Sequence, residues 1–72
     1  MVKTIYIKLL DEGVDVYRPV PAVEIEDNTF EIMGHDIYDP ENEVWEFSPG
    51  TFVAVEKHNL NKEMALVAVK LK

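Results

Sequence analysis

The sequence predicts an all-β fold: a small five-stranded antiparallel barrel that is partly open and contains at most one short helical turn. Short segments that alternate apolar and polar residues recur along the chain, and no amphipathic helix of useful length is present. A Pro49-Gly50 corner interrupts the alternating segment Val44–Glu56. Fewer than six strands with a sharp corner favour a strongly bent, partly open barrel over a flat sandwich.

Chain length and composition narrow the class of protein further. Seventy-two residues without cysteine are expected to form one domain, residues 1–72, that has neither disulfides nor thiolate metal ligands. No segment approaches the roughly 18 consecutive apolar residues of a membrane helix. The first residues lack the apolar region and cleavage site of a signal peptide. We therefore expect a cytoplasmic protein without membrane contact.

The first part of the chain predicts two strands joined by a turn. Alternate residues of Thr4–Leu10 are apolar and share one face, and Asp11-Glu12-Gly13 ends this strand. In the next segment, Val14–Glu26, Pro19 and Pro21 lie two residues apart. Their missing N–H groups fall on one side of the strand, so that side cannot form a regular ladder. We expect an edge strand or an extended loop over residues 17–22.

A tight hairpin is predicted at Asp27-Asn28, because both residues tolerate left-handed backbone angles. This turn places Glu24 opposite Glu31, a mild like-charge penalty. We keep this register because a slip by one residue mixes apolar with charged positions. The remaining predicted pairs are Glu26–Thr29, Ile25–Phe30 and Val23–Ile32.

The second half of the chain predicts two polar connections and a closing strand. His35–Glu43 is a polar loop in which Asp39 resembles an N-cap before Pro40, so one helical turn is expected there. His58–Glu63 is a second turn. Met64–Lys72 alternates again and is expected to pair with the first strand, which holds both ends of the chain.

The aromatic segment Val44–Glu56 organises the predicted core. Pro49 sets the φ angle for the second position of a type II turn, and Gly50 accepts the positive φ of the third. Such a turn does not match the twist of a tight hairpin, so it redirects a strand onto a neighbouring one. Trp45 and Phe47 lie on one side of the incoming segment. We expect both rings to fill the core.

Two segments, Lys8–Ala22 and Glu43–Glu56, resemble a group of very short, uncharacterised bacterial proteins. The residues that carry the resemblance are Lys8–Gly13, Tyr17–Val20, Trp45, Phe47, Pro49, Gly50 and Val53. The resemblance covers most of the chain and implies a small SH3-like β-barrel. It implies no particular activity, and the peptide-binding signature of eukaryotic SH3 domains is absent from the sequence.

Negative charge is concentrated in the middle of the chain. The formal net charge is −7, whereas residues 11–46 carry twelve acids and a single base, Arg18, a local balance of −11. Such a surface repels phosphate backbones, so we expect no nucleic-acid binding. Two interpretations remain: the acids keep the protein soluble, or they meet a basic partner.

The sequence contains no convincing catalytic set. Cysteine and a glycine-rich phosphate loop are both absent, and Ser48 precedes a proline rather than opening a helix. We therefore expect no catalytic residues, no cofactor and no enzyme activity. His35, Asp36 and Asp39 are the nearest approach to a metal-binding set, but they lie in one polar loop and we assign no metal site to them.

The leading hypothesis is a non-catalytic protein-interaction module that presents an acidic face to a basic or proline-rich protein segment. Arg18 has two interpretations: an ion pair with Asp11, Asp15 or another carboxylate, or an anchor for the partner. The alternative is a structural accessory protein that forms a homodimer by edge pairing of Met64–Lys72 or Thr4–Leu10. A small metal-binding protein or enzyme is the third and least favoured alternative. The candidate partner-binding residues are Asp11, Glu12, Asp15, Tyr17, Arg18, Tyr38, Asp39, Glu41 and Trp45.

Overall fold

Hydrogen bonding between strands closes five of the six strands into a ring. The computed structural model describes residues 1–71 and contains these strands: β1 (Val2–Leu10), β2 (Val16–Glu26), β3 (Thr29–Ile32), β4 (Val44–Trp45), β5 (Phe52–Leu60) and β6 (Glu63–Lys70). The ring runs β2-β3-β5-β6-β1 and returns to β2, and β4 pairs with β1 outside it. Residues 1–71 contain no helix, and hence none that is long enough to cross a membrane. The predicted all-β class is confirmed.

The prediction of five strands is wrong because Val44–Glu56 divides into β4 and the first part of β5. The corner between them is the predicted turn: Gly50 has φ +89° and the Thr51 N–H donates to the Ser48 carbonyl at 3.1 Å. The Gly50 N–H also donates to the Ile32 carbonyl at 2.7 Å. The turn is therefore hydrogen-bonded to β3. Before the turn the chain pairs with β1 as β4, and after it the chain pairs with β3 as β5.

The ring closes through a parallel contact, which corrects the prediction of a wholly antiparallel sheet. The first and last strands do pair, as expected, but only through Tyr6 and Val67, and in parallel. The other four strand pairs of the ring are antiparallel. Strand direction reverses between antiparallel neighbours, so a closed ring with an odd number of strands cannot be wholly antiparallel. The predicted end of the last strand, Lys72, lies outside the described residues.

The hairpin turn at Asp27-Asn28 is confirmed, but the register predicted beyond it is wrong. Glu26 pairs with Thr29 as expected, whereas Glu24 pairs with Phe30 and Ala22 with Ile32. The extra residue, Ile25, forms a β-bulge and is 45% exposed. The bulge separates Glu24 from Glu31 and turns Ala22 rather than Val23 towards the core. The full set of observed pairs is Ala22–Ile32, Val23–Glu31, Glu24–Phe30 and Glu26–Thr29.

The proline-bearing half of β2 has a strand partner on one side only, as predicted. Residues 16–23 pair with β1, but only residues 22–26 pair with β3. The Pro21 carbonyl accepts from the Met33 N–H at 2.9 Å, so this proline's missing N–H lies on the β3 side. Pro19 has the same orientation because it lies two residues earlier. The prolines therefore end the β2–β3 ladder and leave an opening beside residues 16–20.

The polar connections differ from the predictions in extent. Asp39 forms the expected turn, in which its carbonyl accepts from the N–H groups of Asn42 and Glu43 at 3.0 and 2.9 Å. A second turn of the same kind, which was not predicted, is formed by the Gly34 carbonyl, which accepts from the N–H groups of Ile37 and Tyr38 at 3.0 Å each. The predicted turn His58–Glu63 is too long, since β5 continues to Leu60 and β6 begins at Glu63. Only Asn61 and Lys62 connect the strands, both with positive φ as a tight twisted hairpin turn requires.

The core lies inside the ring and combines one face of each strand with the indole of Trp45. The alternation predicted for the first strand is confirmed, since Ile5, Ile7 and Leu9 are all buried. The buried residues of this core are Ile5, Ile7, Leu9, Val20, Ala22, Phe30, Ile32, Trp45, Val53, Val55 and Ala68. Val67 is also buried, but it lies on the opposite face of β6. Trp45 is 3% exposed and Phe47 packs against the core from its margin, so the expectation that both rings serve the core is confirmed.

A lysine and a glutamate close one end of this core. Lys3 Nζ lies 3.2 Å from Glu24 Oε1 and 5.8 Å from the centre of the Phe30 ring. The hydrogen bond from Lys3, followed by one from the Asn28 N–H, lowers the pKa of Glu24. Because the folded pKa lies below the unfolded one, this pair contributes stability at neutral pH and loses it as the pH falls through the folded pKa.

Candidate protein-binding surface

Arg18 and Trp45 meet at one carboxylate, that of Glu43. Glu43 Oε1 accepts a hydrogen bond from the indole Nε1 of Trp45 at 3.2 Å and lies 3.5 Å from Arg18 Nε. Arg18 shares the inward-facing positions of β2 with Val20, at a point that β3 does not reach. Its Nε is buried and forms no well-aligned hydrogen bond within residues 1–71. Glu43 is therefore its nearest counter-charge, in agreement with the ion-pair interpretation of Arg18.

Tyr38 packs on the tryptophan of this same group. The two ring centres lie 4.8 Å apart at an interplanar angle of 52°. Aromatic pairs prefer such tilted arrangements to a face-to-face stack. Gly34, with φ +96°, passes so close that a Cβ atom there would lie 3.4 Å from the Trp45 ring. We call Arg18, Tyr38, Glu43 and Trp45 the Glu43 cluster. Its rings are fastened to the core, which limits their use as mobile contact groups.

The Asp39 side chain stabilises the loop before this cluster through two hydrogen bonds. Its Oδ1 accepts from the Glu41 N–H at 3.1 Å, as an N-cap carboxylate does, and its Oδ2 accepts from Asn42 Nδ2 at 2.9 Å. Glu41 is exposed beside it. Both oxygens of Asp39 are thus engaged within the loop, whereas the Glu41 side chain is directed to solvent.

A groove that is lined by two tyrosines lies between the start of β2 and the far end of β5. It has a volume of about 730 Å³. Tyr6 and Tyr17 are neighbours in its lining, because Tyr6 pairs with Pro19 and Tyr17 lies two residues before that proline. The lining residues are Tyr6, Asp15, Val16, Tyr17, Lys57, His58, Asn59, Leu60 and Asn61. We call this feature the tyrosine groove.

A smaller acidic hollow adjoins the tyrosine groove. The turn between β1 and β2 encloses about 270 Å³, and Asp15 lines both the hollow and the groove. Asp11 and Glu12 lie in this turn, and Asp11 holds a positive φ of 63°. Lys8 Nζ lies 3.3 Å from Asp15 Oδ1. We call this feature the acidic hollow.

The structure divides the predicted binding residues between these places. Arg18, Tyr38 and Trp45 belong to the Glu43 cluster, Asp15 and Tyr17 line the tyrosine groove, and Asp11, Glu12 and Asp15 line the acidic hollow. The acidic hollow and the Glu43 cluster are neighbours in the sheet, since Leu10 pairs with Val44. Asp39 and Glu41 lie in the loop that precedes Glu43.

Two features escaped sequence reasoning. Glu43 stands two residues before Trp45 in an extended segment, so both side chains fall on one side of the backbone. A glutamate two residues before a tryptophan in an extended segment could therefore have predicted a carboxylate beside the indole N–H. The contribution of residues 57–61 to the groove had no local signal, because it depends on where the β5–β6 hairpin lies relative to Tyr6.

Within residues 1–71, no three His, Asp or Glu side chains come together in a way that holds a metal ion. His35, Asp36 and Asp39 therefore remain separate side chains of one loop, and both oxygens of Asp39 are engaged there.

Comparison of the chain with protein-family models, with curated proteins and with solved structures gave no match.

Proposed function

We propose that this protein is a small, partly open SH3-like barrel that acts as a non-catalytic interaction module and binds an extended basic segment of another protein. The observation that carries this proposal is the junction at Asp15 between the tyrosine groove and the acidic hollow. Apolar side chains of the segment occupy the groove, and its Lys or Arg side chains reach the acids of the hollow.

The charges around the hollow support a cationic partner. Within residues 1–71 the cations of this region are already paired, Lys8 with Asp15 and Arg18 with Glu43. Asp11 and Glu12 have no counter-charge in the same part of the chain. Carboxylates that lack an internal partner attract basic side chains and accelerate encounter with a basic chain.

The shape of the groove supports an extended segment. Its walls come from a strand start and from the hairpin side of β5, so it is an open furrow rather than an enclosed pocket. Tyrosine rings provide a large contact area with few rotatable bonds, so they lose little entropy when a partner binds. The prolines of β2 remove backbone donors on its open side, so side chains rather than an added strand are expected to hold the partner.

Neutralising the hollow should weaken binding of a basic peptide. The double variant Asp11→Asn, Glu12→Gln keeps side-chain size and removes two charges. We expect it to bind about 30-fold more weakly at low salt, since it removes two close charge pairs and each such pair near water contributes about 1 kcal/mol, or about 5-fold. The measurement is fluorescence anisotropy with a pool of labelled nine-residue peptides that carry two arginines and a varied apolar centre.

The matched control is Glu26→Gln, Asp27→Asn, which removes the same charge from two exposed residues at the opposite end of β2. Equal losses in both double variants would mean that only net charge matters. Binding that is unchanged between 0.05 and about 0.5 M NaCl would also contradict the proposal, since exposed charge pairs are screened by salt.

The homodimer is the second candidate, and the outer face of β5 and β6 supports it. Phe52 is 51% exposed, Ala54 pairs with Val69, and Leu71 follows at the end of β6. This apolar strip is the surface for self-association in place of the predicted edge pairing of Thr4–Leu10 or Met64–Lys72, because β1 and β6 each have neighbours on both sides. Sedimentation at micromolar concentration should show a dimer that Phe52→Ser converts to monomer. A wild-type monomer would exclude this candidate.

A further inference from the structure

The tyrosine groove is lined by opposite charges on its two sides. Asp15 lines the β2 side, next to the acidic hollow, whereas Lys57 and His58 line the β5 side, near the β5–β6 hairpin. Residues 57–62 contain two lysines and a histidine but no acid. This stretch is a local exception in a chain whose net charge is −7.

The cation on the β5 side has no partner within the described part of the chain. None of the ion pairs in residues 1–71 involves Lys57, whereas Lys8, near the other side, is paired with Asp15. His58 is turned to Glu56, with Nε2 3.1 Å from Oε1. The amides of Asn59 and Asn61, which also line the groove, add hydrogen-bond donors on this side.

We propose that the bound segment is bipolar: basic where it meets the acidic hollow and carrying a carboxylate where it meets Lys57. This inference rests on the proposed function and adds the chemistry of the partner's second end. Opposite charges on the two sides of the groove favour one orientation of a segment that crosses from one side to the other, because the reversed segment places like charges together. The carboxylate is either an acidic side chain or the free carboxyl terminus of the partner.

The test compares peptides that differ only at the end opposite their two arginines. One peptide ends in glutamine amide, one in glutamate amide and one in glutamine with a free carboxylate. The two amide peptides are also made with the order of their residues reversed. We expect a carboxylate to tighten binding about 3- to 10-fold, which corresponds to one close charge pair near water. The two carboxylate peptides distinguish a side chain from a terminus.

Two variants of equal charge locate the effect. Lys57→Gln should remove the preference for a carboxylate, so that the carboxylate peptides and the glutamine amide peptide bind this variant with equal affinity. Lys70→Gln should keep the preference, because Lys70 is exposed at the end of β6 and does not line the groove. A preference that survives Lys57→Gln, or disappears in both variants, would overturn the inference.

Failure of this inference is distinguishable from failure of the proposed function. If the glutamine amide peptide binds in a salt-sensitive manner and a carboxylate adds nothing, the bipolar partner is excluded and the interaction module stands. If no arginine-bearing peptide binds, both are excluded.

Discussion

Replacing Phe30 by alanine is expected to lower the free energy of unfolding by about 3–5 kcal/mol, since removal of a buried aromatic ring leaves a cavity that the core cannot fill. Phe30 is 2% exposed and lies among the largest fully buried side chains. A domain of this size has a total stability of roughly 4–11 kcal/mol, so the loss is a large fraction of the whole. Urea denaturation followed by the fluorescence of Trp45, the only tryptophan, measures it.

Phe52→Ala is the matched control, because it makes the same chemical change on the next strand. Phe30 pairs with Val53 and the neighbouring Glu31 pairs with Phe52, yet Phe52 is 51% exposed. We expect Phe52→Ala to cost less than about 1 kcal/mol. Similar losses for the two variants would contradict the described core. If Phe30→Ala does not fold, Phe30→Leu should still cost about 1 kcal/mol.

Replacing Glu43 by alanine is expected to cost about 1–3 kcal/mol of folding stability. The change leaves the indole N–H of a buried tryptophan without an acceptor and removes the counter-charge of Arg18. Glu41→Ala removes the same charge from an exposed neighbour and should change stability by less than about 0.5 kcal/mol. Urea denaturation compares them, and equal effects would show that the Glu43 cluster contributes nothing specific.

A double-mutant cycle separates the two roles of Glu43. Arg18→Met keeps much of the side-chain length and removes the charge. If Glu43 stabilises through Arg18, the cost of Glu43→Ala should be smaller in the Arg18→Met background. A cost that is independent of residue 18 would assign the effect to the hydrogen bond with Trp45 alone.

Local patterns predicted the elements well where one face is buried and the ends are marked by turn residues. Alternation identified β1 and β6, the corner at Pro49-Gly50 and the turn at Asp27-Asn28 lie where expected, and Pro19 and Pro21 marked the open side of β2. These features depend on backbone angles and on missing N–H groups, which are properties of single residues.

The errors in ring closure and register concern relations between strands, whereas the turn predicted over His58–Glu63 was too long within one local segment. The bulge at Ile25 reverses the inward and outward positions near the β2–β3 turn, since one inserted residue changes the face of every residue beyond it. Nothing in residues 23–32 alone requires that insertion. It is favoured because β2 must also align Ala22 with Lys3 of β1, so one strand satisfies two ladders at once.

The same distinction applies to the candidate site. The acids, the tyrosines and Arg18 were selected from the sequence because their charge and ring chemistry suit a partner. Their grouping was not predictable. Glu43 reaches Arg18 only because β4 pairs with the end of β1, and Lys57 lines a groove with Tyr17 only because the β5–β6 hairpin returns to Tyr6.

By itself the sequence determined the all-β class, the main turns, the buried rings and the excess of acid in the middle of the chain, because each follows from side-chain chemistry within a few residues. Tertiary structure alone decided the ring closure, the bulge, the approach of Glu43 to Arg18 and the opposite charges on the two sides of the groove. Those features arise when segments far apart in sequence pack together, and the free energy of that packing depends on all of the strands at once.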